Sequence, residues 1–348
     1  MKRRFLISFV SIVLIVSSLT LAYGAGRPLE KILVGVPEVS VLQSPLFVAI
    51  DAGAFKRYGM DVEVMRLPGP QAMQALVGGS VQFAQGVSSR TVPSAALGGS
   101  DAVLIASLAN KLLFTLYSLP QINSVPDLKG KIVGVSGLGA SIDFATRVAL
   151  RHFGLKPDVD VAIRAIGGVS EITAALKGGI IQAGTLSPPS SFLAEKMGFK
   201  ELFDMTVLDF DYISAGLGVR KPYIAANRER VLNFLKGMIE GVKIFTTDKN
   251  FTLPVLAKYT KITDRELLDK SYEYLKRYFL KVPYPSIKAI RSTLEVLSDE
   301  IPKAKGAKAE DFVDSSLLKE IEASGFVDRL YGTAIQTVEK EAPDPAPQ

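Results

Sequence analysis

The sequence predicts an α/β protein with two similar lobes, each built on a sheet flanked by helices, followed by a helical C-terminal third. Three observations support this class. Strand-like and helix-like segments alternate between residues 31 and 185, as in parallel-type sheets covered by helices on both faces. The alternation restarts about 100 residues after it begins. Beyond Asp211 the apolar residues recur at helical spacing, and no strand-like run with parallel-sheet character appears there.

The first lobe opens with a buried strand at residues 31–36, followed by a helix that begins at Ser44 and Pro45. Ser at the N-cap and Pro in the first turn are typical of a helix start. The next predicted elements are a strand at 61–67, a short helix at 71–77 and strands at 81–86 and 100–108. The second lobe repeats this order with strands at 131–135, 159–166 and 180–185 and helices at 141–153 and 170–177.

The repeat is visible in the residues themselves. Ala75-Leu76-x-Gly78-Gly79-x-Val81-Gln82 matches Ala175-Leu176-x-Gly178-Gly179-x-Ile181-Gln182 at an offset of 100. Lys31-Ile32 matches Lys131-Ile132 at the same offset, and Arg66 and Gly69 match Arg164 and Gly167 at an offset of 98. Two copies at this distance indicate two lobes, because a solenoid would repeat every 20–50 residues.

The C-terminal third carries four predicted helices, at 227–245, 264–279, 286–297 and 315–323. We expect it to return to the first lobe, which would give two connections between the lobes and a hinge. The predicted division is lobe 1 at 28–112 plus 215–340 and lobe 2 at 113–214. The Pro-rich residues 341–348 are predicted to form a disordered tail.

The composition excludes several classes of chemistry. The 348 residues contain no Cys and one His. A disulfide framework, Cys-bound zinc, an iron–sulfur cluster and thiol catalysis are therefore excluded. A single His disfavours His-based catalysis or metal binding. We expect a protein that is not an enzyme and holds no metal and no cofactor.

Residues 1–24 have the segment order of a cleaved signal peptide: basic residues, then an apolar run, then small residues at a cleavage site. An uncleaved N-terminal anchor is the alternative, since the apolar run could just span a bilayer. Without Cys, a lipid anchor on a modified N-terminal Cys is impossible, and we expect a free periplasmic protein. We also expect it to be a monomer. Cleavage would remove Lys2, Arg3 and Arg4 and lower the net charge from +6 to +3. The charge therefore gives little support for nucleic-acid binding.

Segments rich in Gly, Ser and Pro follow the predicted strands. In α/β sheets a ligand binds beyond the carboxyl ends of the strands, where backbone N–H groups and hydroxyls can contact it. Ser136-Gly-Leu-Gly-Ala-Ser141 lacks the third Gly of a dinucleotide loop, so ligand contact and a tight turn both remain open. Tyr212 lies at the predicted hinge and could flank a ligand.

Several charged and aromatic residues have two possible roles. Arg90 is close to the predicted cleft and could meet an anion, whereas Arg147 and Arg164 are better explained as structural or exposed residues. Asp143 could meet a ligand amine, or complement the dipole of its own helix. Tyr272, Tyr274 and Tyr278 have the spacing of residues that pack a helix.

The sequence resembles the periplasmic solute-binding proteins of ABC importers in the nitrate/sulfonate/taurine and thiamine-pyrimidine-precursor group. The resemblance covers about residues 31–333. The motifs that carry it, in order, are Ser44-Pro-Leu-Phe-Val-Ala-Ile-Asp-Ala-Gly-Ala-Phe55, Tyr58-Gly-Met-Asp-Val62, Ala75-Leu-Val-Gly-Gly-Ser-Val-Gln-Phe83, Asp127-Leu-Lys-Gly-Lys-Ile-Val-Gly-Val135 and Ala175-Leu-Lys-Gly-Gly-Ile-Ile-Gln-Ala183.

This resemblance implies a two-lobed type II periplasmic binding protein fold with mixed, mainly parallel sheets. It also implies a small organic ligand, either anionic or partly apolar, and delivery to an ABC permease in the inner membrane. The resemblance implies pocket positions at Leu42, Gln43, Ser44, Val87, Ser88, Ser89, Gly139, Ala140, Ser141, Gly168, Ser187 and Pro188. Tyr212 joins this set because of its position at the predicted hinge. Two alternatives remain: a binding partner of a membrane receptor, and an enzyme on the same fold like the fungal pyrimidine-precursor synthases. This chain lacks the Cys-rich segment and the donated His that those enzymes carry.

Overall fold

Two five-stranded mixed sheets form the framework of the computed structural model, which describes residues 28–37, 39–67 and 71–332, except for the side chains of 169 and 170. The predicted signal peptide at 1–24 and the tail at 341–348 lie outside the described residues. The strands, in chain order, are β1 (Glu30–Val36), β2 (Met60–Arg66), β3 (Phe83–Val87), β4 (Ala102–Ser107), β5 (Thr115–Ser118), β6 (Ile132–Val135), β7 (Ala162–Ala165), β8 (Ala183–Leu186), β9 (Lys200–Asp204) and β10 (Gly216–Arg220).

The two sheets have the same topology. The first has the order β2-β1-β3-β10-β4, and the second has the order β7-β6-β8-β5-β9. In each sheet the second strand runs parallel to both of its neighbours. The fourth strand runs antiparallel to both of its own neighbours. The predicted fold class, a two-lobed α/β protein with mainly parallel sheets, is confirmed.

The repeated Gln residues have the same role in both lobes. The Oε1 atom of Gln82 accepts a hydrogen bond from the N–H of Leu33 at 2.8 Å, and that of Gln182 accepts one from the N–H of Ile132 at 3.1 Å. Each Gln side chain therefore joins the helix–Gly–Gly turn to the second strand of its own sheet.

These contacts correct the sequence offsets. Leu33 and Ile132 occupy equivalent positions and are 99 residues apart, so the counterpart of Lys131 is Ile32 and not Lys31. The strand register likewise places Gly35 opposite Met65 and Gly134 opposite Arg164, so Arg66 is not the counterpart of Arg164.

The sequence gives no strand of parallel-sheet character beyond Asp211, and the strand that the structure adds there, β10, lies antiparallel between β3 and β4. Close packing requires Gly216: a Cβ atom on this residue would lie 2.6 Å from Cδ2 of Leu104 and 2.9 Å from the carbonyl oxygen of Val87. Two Gly residues in five give little strand signal in the sequence. Tertiary pairing, not local propensity, forms this strand.

The chain crosses between the lobes twice, at residues 108–114 and 205–215, and the two crossings lie side by side. Lys111 and Asp211 form an antiparallel bridge. The N–H of Tyr212 donates to the carbonyl of Asn110 at 3.3 Å, and Oγ of Ser214 donates to the carbonyl of Lys111 at 2.8 Å. This bonded pair of segments is the hinge between the lobes.

Helices cover both sheets, and most of those predicted are present within a few residues. Helices at 91–97, 190–196, 221–226, 249–260 and 326–331 were not predicted. The helices are α1 (Ser44–Asp51), α2 (Ala54–Arg57), α3 (Gln71–Val77), α4 (Thr91–Leu97), α5 (Ser141–His152), α6 (Val169–Lys177), α7 (Ser190–Lys196), α8 (Lys221–Ala226), α9 (Arg228–Thr247), α10 (Lys249–Thr260), α11 (Arg265–Lys276), α12 (Ile287–Leu297), α13 (Ser316–Ala323) and α14 (Phe326–Tyr331). Within the described ranges, no helix has both the length and the apolarity needed to cross a bilayer.

The C-terminal helices α9 to α14 complete the core of the first lobe. Helix α9 packs on α1 so closely that a Cβ atom on Gly241 would lie 2.2 Å from the carbonyl oxygen of Pro45. Phe234 of α9 stacks on Phe83 of β3 with ring centroids 4.0 Å apart. This packing holds the start of α1, which follows β1, in a fixed position at the carboxyl edge of the first sheet.

Candidate functional site

The residues implied as a pocket lie at the carboxyl ends of strands in both sheets. Residues 42–44 follow β1 and residues 87–89 end β3, whereas residues 139–141 follow β6. Gly168 follows β7, and Ser187 and Pro188 follow β8. Because the two crossings place these edges against one another, the cleft between the lobes is the candidate site.

Tyr212 lies in the hinge, and the structure places it between the two lobes. Its side chain is fully buried, and its ring stacks on Phe144 of α5 with centroids 5.0 Å apart. Burial raises the pKa of Tyr212, while the nearby hydroxyls of Ser141 and Ser88 and the charge of Arg90 oppose that rise. The hydroxyl is therefore protonated at neutral pH and can donate a hydrogen bond.

Within the part of the chain that the structure describes, the Tyr212 hydroxyl has no hydrogen-bond partner of regular geometry. Ser88 belongs to lobe 1 and Ser141 to lobe 2, so three of the predicted residues come together here from the hinge and both lobes. A buried hydroxyl without a partner is costly to a folded protein. Its position between the lobes makes the Tyr212 hydroxyl a candidate contact for a polar ligand.

Lobe 1 contributes two further buried polar atoms that have no hydrogen-bond partner among the residues described, Oγ of Ser44 and Oε1 of Gln85. Gln85 lies on β3 and was not predicted, whereas Ser44 is the first residue of α1. The Gln43 side chain is buried and hydrogen-bonds Ser40. Leu42 packs on the first-lobe core from the same turn, and Val87 is buried in that lobe.

Ser89 is occupied by structural contacts. Its Oγ atom accepts from the N–H of Ile213 at 3.3 Å and from Oγ1 of Thr293 at 2.9 Å. Its own N–H donates to the carbonyl of Ile213 at 3.1 Å. Ser89 therefore ties the turn after β3 to the hinge and to α12, and it positions its neighbours Ser88 and Arg90.

Lobe 2 contributes the N-terminus of α5, where Ala140 is the N-cap and Ser141 the first residue. Asp143 is 3% exposed. Its carboxylate accepts from the N–H of Gly139 at 2.7 Å and from Nε of Arg147 at 2.8 Å. These contacts support the structural role for Asp143 and Arg147. The first N–H groups of a helix have no acceptor within the helix, so those of Ser141 and Ile142 are available to a ligand.

The remaining predicted residues lie at the same edge of the second sheet. Gly168 is the exposed N-cap of α6, and the carboxylate of Glu171 lies over it. Ser187 is partly exposed, and Pro188 is buried. Neither Gly168 nor Ser187 is among the groups that affect the Tyr212 hydroxyl.

Glu300 and Tyr274 are the main residues at the cleft that the sequence did not indicate. Glu300 pairs with Arg90 at 2.7 Å, although 210 residues separate them in the chain. The ring of Tyr274 on α11 lies edge-on to Phe192 on α7 of lobe 2, with centroids 5.8 Å apart. Tyr274 therefore contacts the other lobe, whereas Tyr272 is buried in the core as predicted.

Residues 43–249 match a protein-family model described as NMT1/THI5 like. This match covers more than half of the chain. The chain belongs to the NMT1/THI5-like family. A sequence search of curated proteins found no significant match.

Solved structures share the fold of this NMT1/THI5-like chain. The alkanesulfonate-binding protein SsuA from Xanthomonas axonopodis pv. citri, bound to MOPS, has a TM-score of 0.68 at 16% identity, over 85% of this chain and 98% of that one. The periplasmic aliphatic sulphonate-binding protein SsuA from Escherichia coli has a TM-score of 0.69 at 19% identity, over 82% and 92%. The periplasmic nitrate-binding protein NrtA from Synechocystis PCC 6803 has a TM-score of 0.69 at 16% identity, over 85% and 89%.

Proposed function

We propose that this chain is a periplasmic solute-binding protein that captures a small organic ligand between its lobes and delivers it to an ABC permease in the inner membrane. The observation that carries the proposal is the unpartnered Tyr212 hydroxyl, which lies in the hinge among Ser88 of one lobe and Ser141 of the other. Only a closed cleft brings these groups together, so a ligand that bonds all three favours closure.

The chemistry of these groups selects an acceptor-rich ligand. The Tyr212 hydroxyl, the Ser hydroxyls and the first N–H groups of α5 can all donate hydrogen bonds. A carboxylate, a sulfonate or a polar ring with several acceptors fits such a set. Val87 and the partly buried Leu42 add apolar surface nearby.

The same arrangement supports binding over catalysis. The single His of the chain, His152, is the last residue of α5, whereas Ser141 is the first. At 1.5 Å per residue the two lie about 16 Å apart along the helix axis. His152 stacks on Phe203 of lobe 2, with centroids 5.7 Å apart. It is thus poorly placed to act as an acid or base near Tyr212.

A thermal-shift screen tests the proposal, because any ligand that binds the native state raises the unfolding midpoint. The screen comprises short alkanesulfonates, taurine, nitrate, aromatic carboxylates and aminopyrimidines, with mass spectrometry of any ligand retained through purification. We expect at least one compound to stabilise the protein, and Ser141→Trp to abolish that effect. Ser316→Trp is the matched control, because Ser316 is the exposed first residue of α13, away from the cleft. Undiminished binding by Ser141→Trp would contradict the site assignment.

A further inference from the structure

Arg90 connects the two lobes at the cleft. It follows β3 in lobe 1, and its Nε–H donates to the carbonyl of Gly139 in lobe 2 at 3.0 Å. Its guanidinium carbon also lies 5.9 Å from the centroid of the Phe144 ring on α5 of lobe 2, within the range of a cation–π contact. The Arg90 side chain is 12% exposed. Closure of the lobes therefore buries this positive charge.

Glu300 compensates the buried charge. Its Oε2 atom accepts from NH2 of Arg90 at 2.7 Å, and its Oε1 atom accepts from NH1 at 3.5 Å. Glu300 lies in the turn that ends α12, where its N–H donates to the carbonyl of Leu297 at 2.9 Å. The bond from Thr293 of α12 to Ser89 holds this helix beside the turn that carries Arg90. Both members of the ion pair are therefore fixed on lobe 1.

We propose that Arg90 is a latch between the lobes, and that Glu300 is the built-in counter-ion that lets the latch close without a bound anion. This inference rests on the proposed function, in that it concerns closure of the same cleft. Arg90 and Glu300 belong to one lobe, so opening does not have to separate them. Opening does return Arg90 to water and removes its contacts with Gly139 and Phe144. Because an unpaired charge is far more costly when buried than when hydrated, loss of Glu300 penalises the closed state more than the open one.

The planar guanidinium group of Arg90, with its three nitrogen donors, is essential to its role as a latch. Arg90 uses Nε for Gly139 and its two terminal nitrogens for Glu300. A Lys side chain keeps the charge but has a single nitrogen on a flexible stem, so it cannot reproduce this planar arrangement. Arg90→Lys therefore keeps the positive charge of the latch and removes its planar hydrogen-bonding geometry.

Closure of the lobes can be measured with spin labels on introduced Cys residues, because the chain has no Cys of its own. Two introduced Cys residues can be spin-labelled without competing thiols. Lys56→Cys in lobe 1 and Val159→Cys in lobe 2 place both labels at exposed positions. Electron–electron double resonance then gives the distribution of interlobe distances, without any ligand. We expect the doubly labelled parent to populate mainly the closed distance.

We expect Arg90→Lys and Glu300→Gln each to lower the closed-to-open ratio about tenfold, the effect of one charge-assisted hydrogen bond. The matched controls are Arg228→Lys and Glu320→Gln, which alter an ion pair between α9 and α13 within lobe 1, and these should leave the distances unchanged. Urea midpoints verify that every variant is folded. An open parent, or unchanged distances in both test variants, would overturn the latch. Because no ligand is present, a failed ligand screen would count against the proposed function alone.

Discussion

The unpartnered hydroxyl of Tyr212 leads to a prediction that separates folding from binding. Tyr212→Phe removes this hydroxyl and leaves the ring that stacks on Phe144. If the hydroxyl exists to meet a ligand, its loss should weaken ligand binding without weakening the fold. A structural hydroxyl would behave in the opposite way, because its removal would break a hydrogen bond.

The magnitude follows from burial. The Tyr212 side chain is fully buried, and among the described residues its hydroxyl lies near Ser88 and Ser141 without a hydrogen bond of regular geometry. A buried polar group without a well-formed hydrogen bond costs roughly 1–3 kcal/mol. The Phe variant avoids this cost and leaves a space smaller than a methyl group. We therefore expect the free energy of unfolding without ligand to rise by about 1 kcal/mol. The affinity for the ligand found in the thermal-shift screen should fall by about tenfold, as expected for one lost hydrogen bond.

Urea unfolding gives the stability, and isothermal titration calorimetry gives the affinity. Tyr223→Phe is the matched control for binding, because Tyr223 lies on α8, outside the cleft, where Arg230 approaches its hydroxyl. It should bind the ligand unchanged. A drop of 1 kcal/mol or more in the unfolding free energy of Tyr212→Phe would refute the reasoning, since it would mean that the hydroxyl is satisfied by the protein.

Three more substitutions test the framework around the cleft. Gly241→Ala should lower the free energy of unfolding by about 1–3 kcal/mol in urea, because the new Cβ atom would lie 2.2 Å from the carbonyl oxygen of Pro45. Ser89→Ala leaves the N–H of Ile213 without its side-chain acceptor, so hydrogen exchange at that amide should accelerate. The hydrogen bonds from Arg220 lower the pKa of Asp101 below its usual value, so this pair stabilises the protein fully above the usual value and less as the pH falls through the lowered one. Asp101→Asn should therefore reduce the loss of stability as the pH falls below about 4, in acid titrations followed by circular dichroism.

The sequence predicts most of the fold because much of the signal is local. The helix–Gly–Gly–strand units end in Gln82 and Gln182, and each Gln bonds the neighbouring strand of its own sheet. Because both lobes make this contact, both contain the same short run of residue types, and that repeat is visible in the sequence. The repeated run does not reveal that the equivalent strands β1 and β6 are 99 residues apart, although the two Gln residues are 100 apart.

Elements formed by distant pairing give no such signal. The strand β10 is short and contains two Gly residues, and only its neighbours β3 and β4 make it a strand. The same limit applies to the cleft. Ser141 and Tyr212 could be proposed from a helix start and a hinge position, but the approach of Glu300 to Arg90 depends on the packing of α12. No spacing in the chain encodes that contact.

The position of β10 also determines the order in which the lobes can form. All strands of the second sheet lie between residues 115 and 204, so this sheet can be completed as soon as they have been synthesised. The first sheet needs residues 216–220 as its fourth strand, between β3 and β4, where Leu217 pairs with Gln85. Until then β3 and β4 each have an unpaired edge, and such edges are prone to pair with other chains. The lobe that begins first is therefore finished last, and it depends on protection of those edges while the rest of the chain emerges.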